Sequence, residues 1–333
     1  MKRRMLKTAV LSMGAIALMS VPAKAQQVIK IDGSSTVYPI TEGVAEDFQK
    51  TKKGDIKVTV GISGTGGGFK KFCRGETDIS NASRPILAKE MEECRKNGVE
   101  YVELPVAYDG LAVVVNPKNN WATCMTVEQL KEIWKPESQG KKLMWSDFNP
   151  NWPKEEIKLC GPGSDSGTFD YFTEAIVGKA KSSRGDYTAS EDDNVLVQFA
   201  ARNRGAICFF GLAYVEENKG KIKAIQIQNP KTGKCVAPNL ETVKSGEYQP
   251  LSRPLFIYVS TKSMERPEVK EFVEFYIKNA AKISKQVGYI PLPEKAYQMT
   301  MERYKKGVKG TVFGGEPEVG LKIEELLKRE AKQ

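Results

Sequence analysis

The chain has 333 residues, of which 40% are apolar and 28% charged, a composition typical of soluble globular proteins, and its length favours two domains. Five basic residues and no acids lie in residues 1–25, so the formal net charge of +10 falls to +5 for the remainder. So small a surplus does not indicate nucleic-acid binding, and the absence of histidine excludes His-based triads and HExxH zinc sites.

The first 25 residues have the pattern of a secretory signal peptide. A basic start precedes the apolar run Thr8–Val21, and an Ala-Lys-Ala cleavage pattern ends at Ala25. The run is shorter than the roughly 20 residues that span a bilayer, and no other stretch of the sequence is long and apolar enough to do so. We therefore expect a soluble mature protein that begins near Gln26 and resides in a bacterial periplasm.

Strands and helices alternate along the chain, which predicts an α/β fold with largely parallel sheets. The first predicted elements are strand Val28–Ile31, helix Val37–Lys50, strand Ile56–Val60, the glycine-rich turn Gly61–Gly68 leading into a helix, helix Leu87–Asn97, and strands Tyr101–Val106 and Leu111–Val115. The later ones are strand Ile157–Cys160, helix Thr168–Val177, strand Leu255–Ser260, and helices Pro267–Asn279, Glu294–Lys305 and Lys322–Ala331.

The order of these elements predicts two lobes joined by a hinge. Residues 26–106 and 250–333 are expected to form lobe one, and residues 107–249 are inserted as lobe two. The chain would then cross between the lobes twice, near Pro105–Asp109 and near Pro250–Pro254, and two crossings make a hinge.

Six cysteines in an oxidising compartment predict disulfide bonds. If no bond joins the lobes, Cys73 pairs with Cys94, and three pairings stay open for the four cysteines of lobe two. We favour the sequential pairing, Cys124–Cys160 with Cys208–Cys235. No C-x-x-C pair is present, so a metal site is not predicted.

Three segments share a strand, a turn of Ser, Thr and Gly, and a helix: Asp32–Thr36, Ser63–Gly68 and Ser164–Thr168. Helix starts leave N–H groups unpaired and carry partial positive charge, while glycine permits close approach and hydroxyls add donors. A fourth segment, Asp78–Pro85, adds hydroxyls and the guanidinium of Arg84, which suits a bidentate oxyanion contact. Each turn alone would be only a helix cap, but together, facing one cleft, they predict a site for a tetrahedral anion.

Three functional motifs fail in these turns. The glycine-rich turn contains no G-x-x-x-x-G-K-[ST] sequence, so it is not a P-loop, and it does not fit G-x-G-x-x-G, because Phe69 takes the place of the last glycine. Gly163–Gly167 has aspartate where a nucleophile elbow needs serine. We expect no enzyme and no cofactor.

Four ordered motifs resemble the PstS family, the periplasmic phosphate-binding proteins of phosphate ABC transporters. They are DGSSTVYP from Asp32, SGTGGGF from Ser63, ISNASRP from Ile79 and DSGTFDYF from Asp165. The resemblance covers essentially the whole mature chain. It implies a two-lobed type II periplasmic-binding-protein fold that closes on phosphate and delivers it to the permease subunits of an ABC importer. The protein is expected to be a monomer that carries out no reaction.

The resemblance places phosphate-binding residues in three loops. They are Ser35 and Thr36 in the first loop, Ser63 in the glycine-rich loop, and Ser166, Gly167 and Thr168 in lobe two. Two positions depart from the family pattern. Ser83 stands where the family has the aspartate that accepts the phosphate proton, and Pro162 stands where it has an arginine.

We expect Arg84 to supply the missing positive charge, beside Ser83. The proton acceptor is then open between Asp165 and Asp32. This leaves other functions in view: another tetrahedral oxyanion such as sulfate or molybdate, a secreted phosphatase-like enzyme, or a signalling or adhesion module on the same scaffold.

Overall fold

The computed structural model of the protein describes residues 26–164, 166–190 and 192–315, together with residues 323 and 327–329. The signal-peptide prediction, Asp165 and most of the predicted helix Lys322–Ala331 lie outside the described residues. Within those ranges, no helix is both long enough and apolar enough to cross a bilayer.

The first part of the chain alternates strands and helices as predicted. Its elements are β1 (Gln27–Gly33), α1 (Tyr38–Lys52), β2 (Ile56–Val60), α2 (Gly64–Cys73), β3 (Ile79–Ala82), α3 (Ala88–Lys96) and β4 (Tyr101–Val115). The two strands predicted around Asp109 and Gly110 form one continuous strand instead. Backbone pairing explains this, because β4 pairs with one neighbour up to Gly110 and with another from Leu111 onward.

The middle of the chain holds many short elements. They are β5 (Cys124–Met125), α4 (Val127–Trp134), β6 (Lys158–Gly161), α5 (Gly167–Phe172), β7 (Thr188–Ala189), α6 (Asp193–Arg202), β8 (Ala206–Gly211), α7 (Leu212–Glu217), β9 (Lys223–Ala224), β10 (Gln226–Gln228), β11 (Cys235–Val236) and α8 (Leu240–Lys244). Short 3₁₀ turns cover Pro136–Ser138 and Trp145–Asp147. The helix predicted from Thr168 to Val177 is α5 followed by a π-helical turn, Thr173–Val177.

The last part returns to longer elements: β12 (Ser252–Ser260), a 3₁₀ turn (Ser263–Glu265), α9 (Pro267–Gln286) and α10 (Glu294–Lys305). Helix α9 runs two turns beyond the predicted end at Asn279. Its extra turns are held by burial, since Ala280 and Ile283 are both buried.

One long sheet runs through the molecule in the order β2-β1-β3-β12-β4-β8-β6-β7, with β9 added to the end of β4. The first strand group, β1, β2 and β3, is parallel, and so is the second strand group, β6, β7 and β8. Between the groups, β12 and β4 are antiparallel to each other. The chain therefore passes from one group to the other in β4 and returns in β12.

Apolar packing supports both strand groups. Next to the first group, α1 packs on α9, where Phe48 lies 5.2 Å from Phe272 between ring centroids. Next to the second group, the ring of Phe172 stacks on Phe209 with 3.7 Å between centroids, and Trp134 meets Phe209 edge to face. These side chains are buried and fix the helices that carry the cavity described below.

Three disulfide bonds form, and two differ from the favoured pairing. Cys73–Cys94 is as predicted. The sequential pairing of the other four is wrong, because the bonds are Cys124–Cys235 and Cys160–Cys208. Strand pairing explains the difference: Cys160 and Cys208 are direct partners on β6 and β8, whereas β5 and β11 both flank β10. Proximity along the chain carries no information about such neighbours.

Candidate functional site

A polar cavity of about 230 Å³ lies between the carboxyl-terminal ends of the first strand group and helix α5. Its wall combines hydroxyl groups, two guanidinium groups and two carboxylates. The lining residues are Ser34, Ser35, Thr36, Gly64, Thr65, Gly66, Ser83, Arg84, Asp170, Glu174, Ala180 and Arg253. Four of the predicted binding residues, Ser35, Thr36, Ser83 and Arg84, therefore come together here.

The loop after β1 presents two of these hydroxyls. The Ser34 hydroxyl accepts the backbone N–H groups of Thr36 and Val37 at 3.2 and 3.4 Å, which satisfies donors at the start of α1. Gly33 has a φ of +140°, and a Cβ there would lie 2.2 Å from the Asn81 carbonyl oxygen, so the turn requires glycine. Since the Ser34 hydroxyl is occupied by this turn, the side chains of Ser35 and Thr36 are left to line the cavity.

Two more hydroxyls come from neighbouring loops of the first strand group. Helix α2 begins inside the glycine-rich turn at Gly64, whose φ is +75°. The Thr65 and Ser83 hydroxyl oxygens lie 2.9 Å apart, and the Ser83 N–H donates to Thr65 Oγ1 at 3.1 Å. This pairing holds the two loops in register and places both hydroxyls on one wall of the cavity.

The Arg84 guanidinium is held by Glu90 at the start of the next helix, α3. It donates two hydrogen bonds to the Glu90 carboxylate, at 2.9 and 2.8 Å, and lies 5.7 Å from the Phe69 ring centroid. Such a bidentate pair fixes the plane of the guanidinium. Arg84 therefore brings a fixed donor group to the cavity, with its charge largely balanced by Glu90.

Two predicted residues are engaged elsewhere. The Ser63 hydroxyl donates to the Asp32 carboxylate, which also accepts Lys71 Nζ at 2.7 Å. Both residues lie outside the cavity lining. The negative charge of Asp32 is thus balanced by Lys71, and its carboxylate supports the glycine-rich loop from outside the cavity. The hydroxyl that this loop contributes to the cavity comes from Thr65 and not from Ser63.

The loop before α5 touches the first loop directly. Ser166 caps α5 by accepting the Thr168 N–H at 3.1 Å, and Thr36 Oγ1 donates to the Gly167 carbonyl at 3.3 Å. A Cβ on Gly167 would lie 2.8 Å from the Thr36 backbone, so only glycine permits this approach. Ser166, Gly167 and Thr168 close the cavity from this side without lining it.

Asp170, one turn into α5, is a site residue that the sequence reasoning missed. Ser35 Oγ donates to its Oδ2 at 3.2 Å, while its buried Oδ1 finds no hydrogen-bond partner among the described residues. Burial raises the pKa of the Asp170 carboxyl, and Lys181, 4.0 Å away, opposes that rise. Its position inside the DSGTFDYF motif was the only available signal.

Arg253 is the second residue that sequence reasoning missed. Its guanidinium stacks at 3.4 Å on the Tyr171 ring, and it donates to Thr36 Oγ1 at 3.4 Å and to Glu174 Oε2 at 3.3 Å. It comes from β12 and reaches both sides of the cavity. The sequence marked it only as the residue before a strand, at the predicted second crossing.

Comparison with known proteins identifies the family. The PBP superfamily domain matches residues 20–280. The protein SphX of Synechococcus elongatus is 52% identical over 92% of this chain and 90% of its own. The phosphate-binding protein PstS of Staphylococcus saprophyticus is 40% identical over 82% of this chain and 83% of its own. The chain belongs to the PstS family.

A solved structure of a related protein has the same fold as this chain. The crystal structure of a possible phosphate-binding protein from Planctomyces limnophilus is 48% identical, with a TM-score of 0.82, and covers 85% of this chain and 99% of its own. The predicted α/β periplasmic-binding-protein fold is thereby confirmed, and so is the resemblance to the PstS family.

Proposed function

We propose that the protein binds inorganic phosphate in the cavity between the two strand groups and delivers it to the membrane subunits of an ABC importer. The cavity wall carries the proposal, because it supplies hydroxyl donors and two guanidinium groups for oxygens, together with a carboxylate acceptor for a proton. The cavity volume of about 230 Å³ leaves room for one tetrahedral anion. PstS relatives that bind phosphate support the same ligand.

The anion contacts follow from the side chains that meet there. Ser35, Thr36, Thr65, Ser83 and Arg84 would bind phosphate from the first strand group, and Arg253 from β12. Removing an anion from water is costly, so nearly every oxygen needs several donors. The Ser166, Gly167 and Thr168 loop, which already touches the first loop at Thr36, would contact the remaining oxygens, which is the role that the PstS resemblance gives to those residues.

Asp170 is the proposed reader of the phosphate proton. Phosphate near neutral pH carries a proton and sulfate does not, so an acceptor-only carboxylate favours phosphate and repels sulfate. Of the two earlier candidates, Asp32 is bound to Lys71 and Ser63. Asp170 lines the same cavity as Ser83 and is hydrogen-bonded to Ser35, so it could supply the acceptor that the PstS pattern has in place of Ser83.

The proposal also covers how the protein moves, where it is located and whether it is a monomer. Residues 26–106 with 250–333, and residues 107–249, would move as two lobes about β4 and β12, because those strands carry the chain between the strand groups. The protein would act as a monomer in the periplasm after cleavage of residues 1–25. It would perform no reaction, in keeping with its relatives, which are binding proteins.

Competition calorimetry on the purified mature protein tests this function. Phosphate and arsenate, which both carry a proton near neutral pH, should bind in a 1:1 ratio, whereas sulfate and molybdate should bind at least about 100-fold more weakly. Phosphate should also raise the melting temperature, because a ligand of the native state stabilises it. Tight binding of sulfate or molybdate in preference to phosphate, or no binding of any of these anions, would refute the proposal.

A further inference from the structure

A second ion pair lies behind the cavity, where the two antiparallel strands run side by side between the strand groups. Asp109 on β4 and Arg253 on β12 are direct partners in the strand register. The Asp109 side chain is only 4% exposed, and Arg253 Nε lies 3.9 Å from its Oδ2. A carboxylate so far removed from water is costly unless a positive group compensates it.

The contact between the two side chains is incomplete. At 3.9 Å the pair is too long for a hydrogen bond, and within the described part of the chain both Arg253 Nε and Asp109 Oδ2 are buried without any hydrogen-bond partner. A shift of about 1 Å would close the distance to the usual N–H···O length. The arginine therefore sits beside a charge-assisted bond that a small movement completes.

A second carboxylate draws Arg253 in the opposite direction. Glu174 Oε2 accepts from Arg253 Nη1 at 3.3 Å at the cavity rim, where its side chain is 46% exposed. The Tyr171 ring, 3.4 Å from the guanidinium carbon, confines the guanidinium to movement along its face. Arg253 thus lies between a buried carboxylate behind the cavity and an exposed one at its mouth.

We propose that Asp109 is a positioning residue for anion binding: it competes with Glu174 for Arg253, so that the guanidinium stays over the Tyr171 ring and presents its donors to the cavity. The proposal rests on the proposed function of phosphate binding. Attraction to a buried charge is stronger than attraction to a solvated one, because water screens the rim more than the interior. The guanidinium also stands between Asp109 and the anion, which limits their repulsion.

This arrangement makes phosphate binding depend on the charge of Asp109. Burial raises the pKa of Asp109 to about 6, although Arg253 opposes the rise. The other titratable groups that face it are the phenols of Tyr171 on α5 and Tyr289 after α9, and burial raises the pKa of each still further above its ordinary value. Only Asp109 therefore changes charge among these groups as the pH falls through about 6, and Glu174 then attracts Arg253 without a competing charge behind the cavity.

The test compares phosphate affinity in the unchanged protein and in Asp109→Asn, by calorimetry at about pH 8 and about pH 5.5. At the higher pH the variant should bind about tenfold more weakly, the effect of losing one charge-assisted contact. At the lower pH the ratio should fall to about threefold, since roughly three quarters of the unchanged protein has then lost the same charge. The ionisation of phosphate itself cancels in this ratio, and a merely structural role would not produce its pH dependence.

Glu174→Gln gives a second, independent measurement. Without the competing carboxylate, acid should weaken binding less in this variant than in the unchanged protein, and Asp109→Asn/Glu174→Gln should regain most of the affinity lost in Asp109→Asn. The matched control is Asp78→Asn, a buried carboxylate that pairs with Arg266 at 2.9 Å outside the cavity lining. It should leave the affinity unchanged at both pH values.

Three results would overturn the proposal. The first is equal affinity of Asp109→Asn and the unchanged protein at about pH 8, and the second is an affinity ratio that does not vary with pH. The third is a double variant no better than Asp109→Asn. If the unchanged protein failed to bind phosphate at either pH, the proposed function itself would fall, and the role of Asp109 with it.

Discussion

The two arginines of the cavity are held in different ways. Arg84 gives two short hydrogen bonds to Glu90, six residues further along the chain. Arg253 stacks on Tyr171, and its polar contacts, such as the one with Glu174, are 3.3 Å or longer. A carboxylate nearby in the chain, at the start of α3, therefore fixes one charge for the ligand in advance. The other charge depends on elements from both sides of the cavity and can respond to how they are arranged.

The largest effect is expected at the fixed arginine. Arg84→Ala should weaken phosphate binding about 100-fold, because it removes charge-assisted donors and leaves Glu90 unpaired beside the anion. Calorimetry measures the change. The matched control is Arg95→Ala, which breaks an equivalent bidentate pair with Glu92 on the surface and should not alter the affinity. A loss of less than about threefold in Arg84→Ala would contradict a direct contact between Arg84 and the anion.

The second largest loss of phosphate affinity is expected from disturbing the contact between the Gly167 loop and the Thr36 loop. In Gly167→Ala the new Cβ would lie 2.8 Å from the Thr36 backbone and push the two loops apart. Phosphate affinity should fall about 30-fold, as overpacking costs about 2 kcal/mol. Gly185→Ala is the control, since the nearest atom to its Cβ would be 3.6 Å away. Equal affinities in the two variants would show that the loops need not meet for binding.

Selectivity should change at Asp170. Asp170→Asn replaces an acceptor-only group with one that also donates, so phosphate should bind about tenfold more weakly while sulfate binds as well as before or better. The ratio of the two dissociation constants, measured by competition, reports the effect. Asp192→Asn, at the start of α6, is the control for an acidic side chain at a helix start. If the ratio of the phosphate and sulfate dissociation constants were unchanged in Asp170→Asn, another group would accept the phosphate proton.

The smallest loss of phosphate affinity is expected at Tyr171, whose ring stacks on Arg253. Tyr171→Leu should weaken phosphate binding about fivefold, because a cation–π contact contributes about 1 kcal/mol. Tyr171→Phe keeps the ring and loses only the hydrogen bond to the Pro250 carbonyl, so it should lower the free energy of unfolding by about 1 kcal/mol without affecting affinity. If both variants bound phosphate equally, stacking would have no part in holding Arg253.

The two arginines also mark how far the sequence could predict the site. Arg84 lies in a short motif next to Ser83, and local patterns are enough to find such residues. Arg253 meets Thr36 across 217 residues, through strand pairing that no local pattern contains. The same reason separates Cys73–Cys94, 21 residues apart and correctly predicted, from Cys124–Cys235, which depends on the neighbours of β10.

At other positions, the hydrogen-bond partner of a side chain or of the backbone decided between structures that the sequence pattern allowed. Ser63 stands directly before α2 and was expected to bind the ligand, but its hydroxyl donates to Asp32. Asp109-Gly110 has the composition of a turn, yet pairing on both sides keeps β4 extended there. Alternation of strands and helices was sufficient for the fold class, because burial periodicity is local, whereas the partners of each polar group are not.

A crystal structure of the mature protein grown with phosphate tests the central claim most directly. We expect one tetrahedral anion in the cavity, within hydrogen-bond distance of Ser35, Ser83, Arg84 and Arg253, with one of its oxygens beside the Asp170 carboxylate. Phosphate bound outside this cavity, or bound within it without contact to either arginine, would contradict the account.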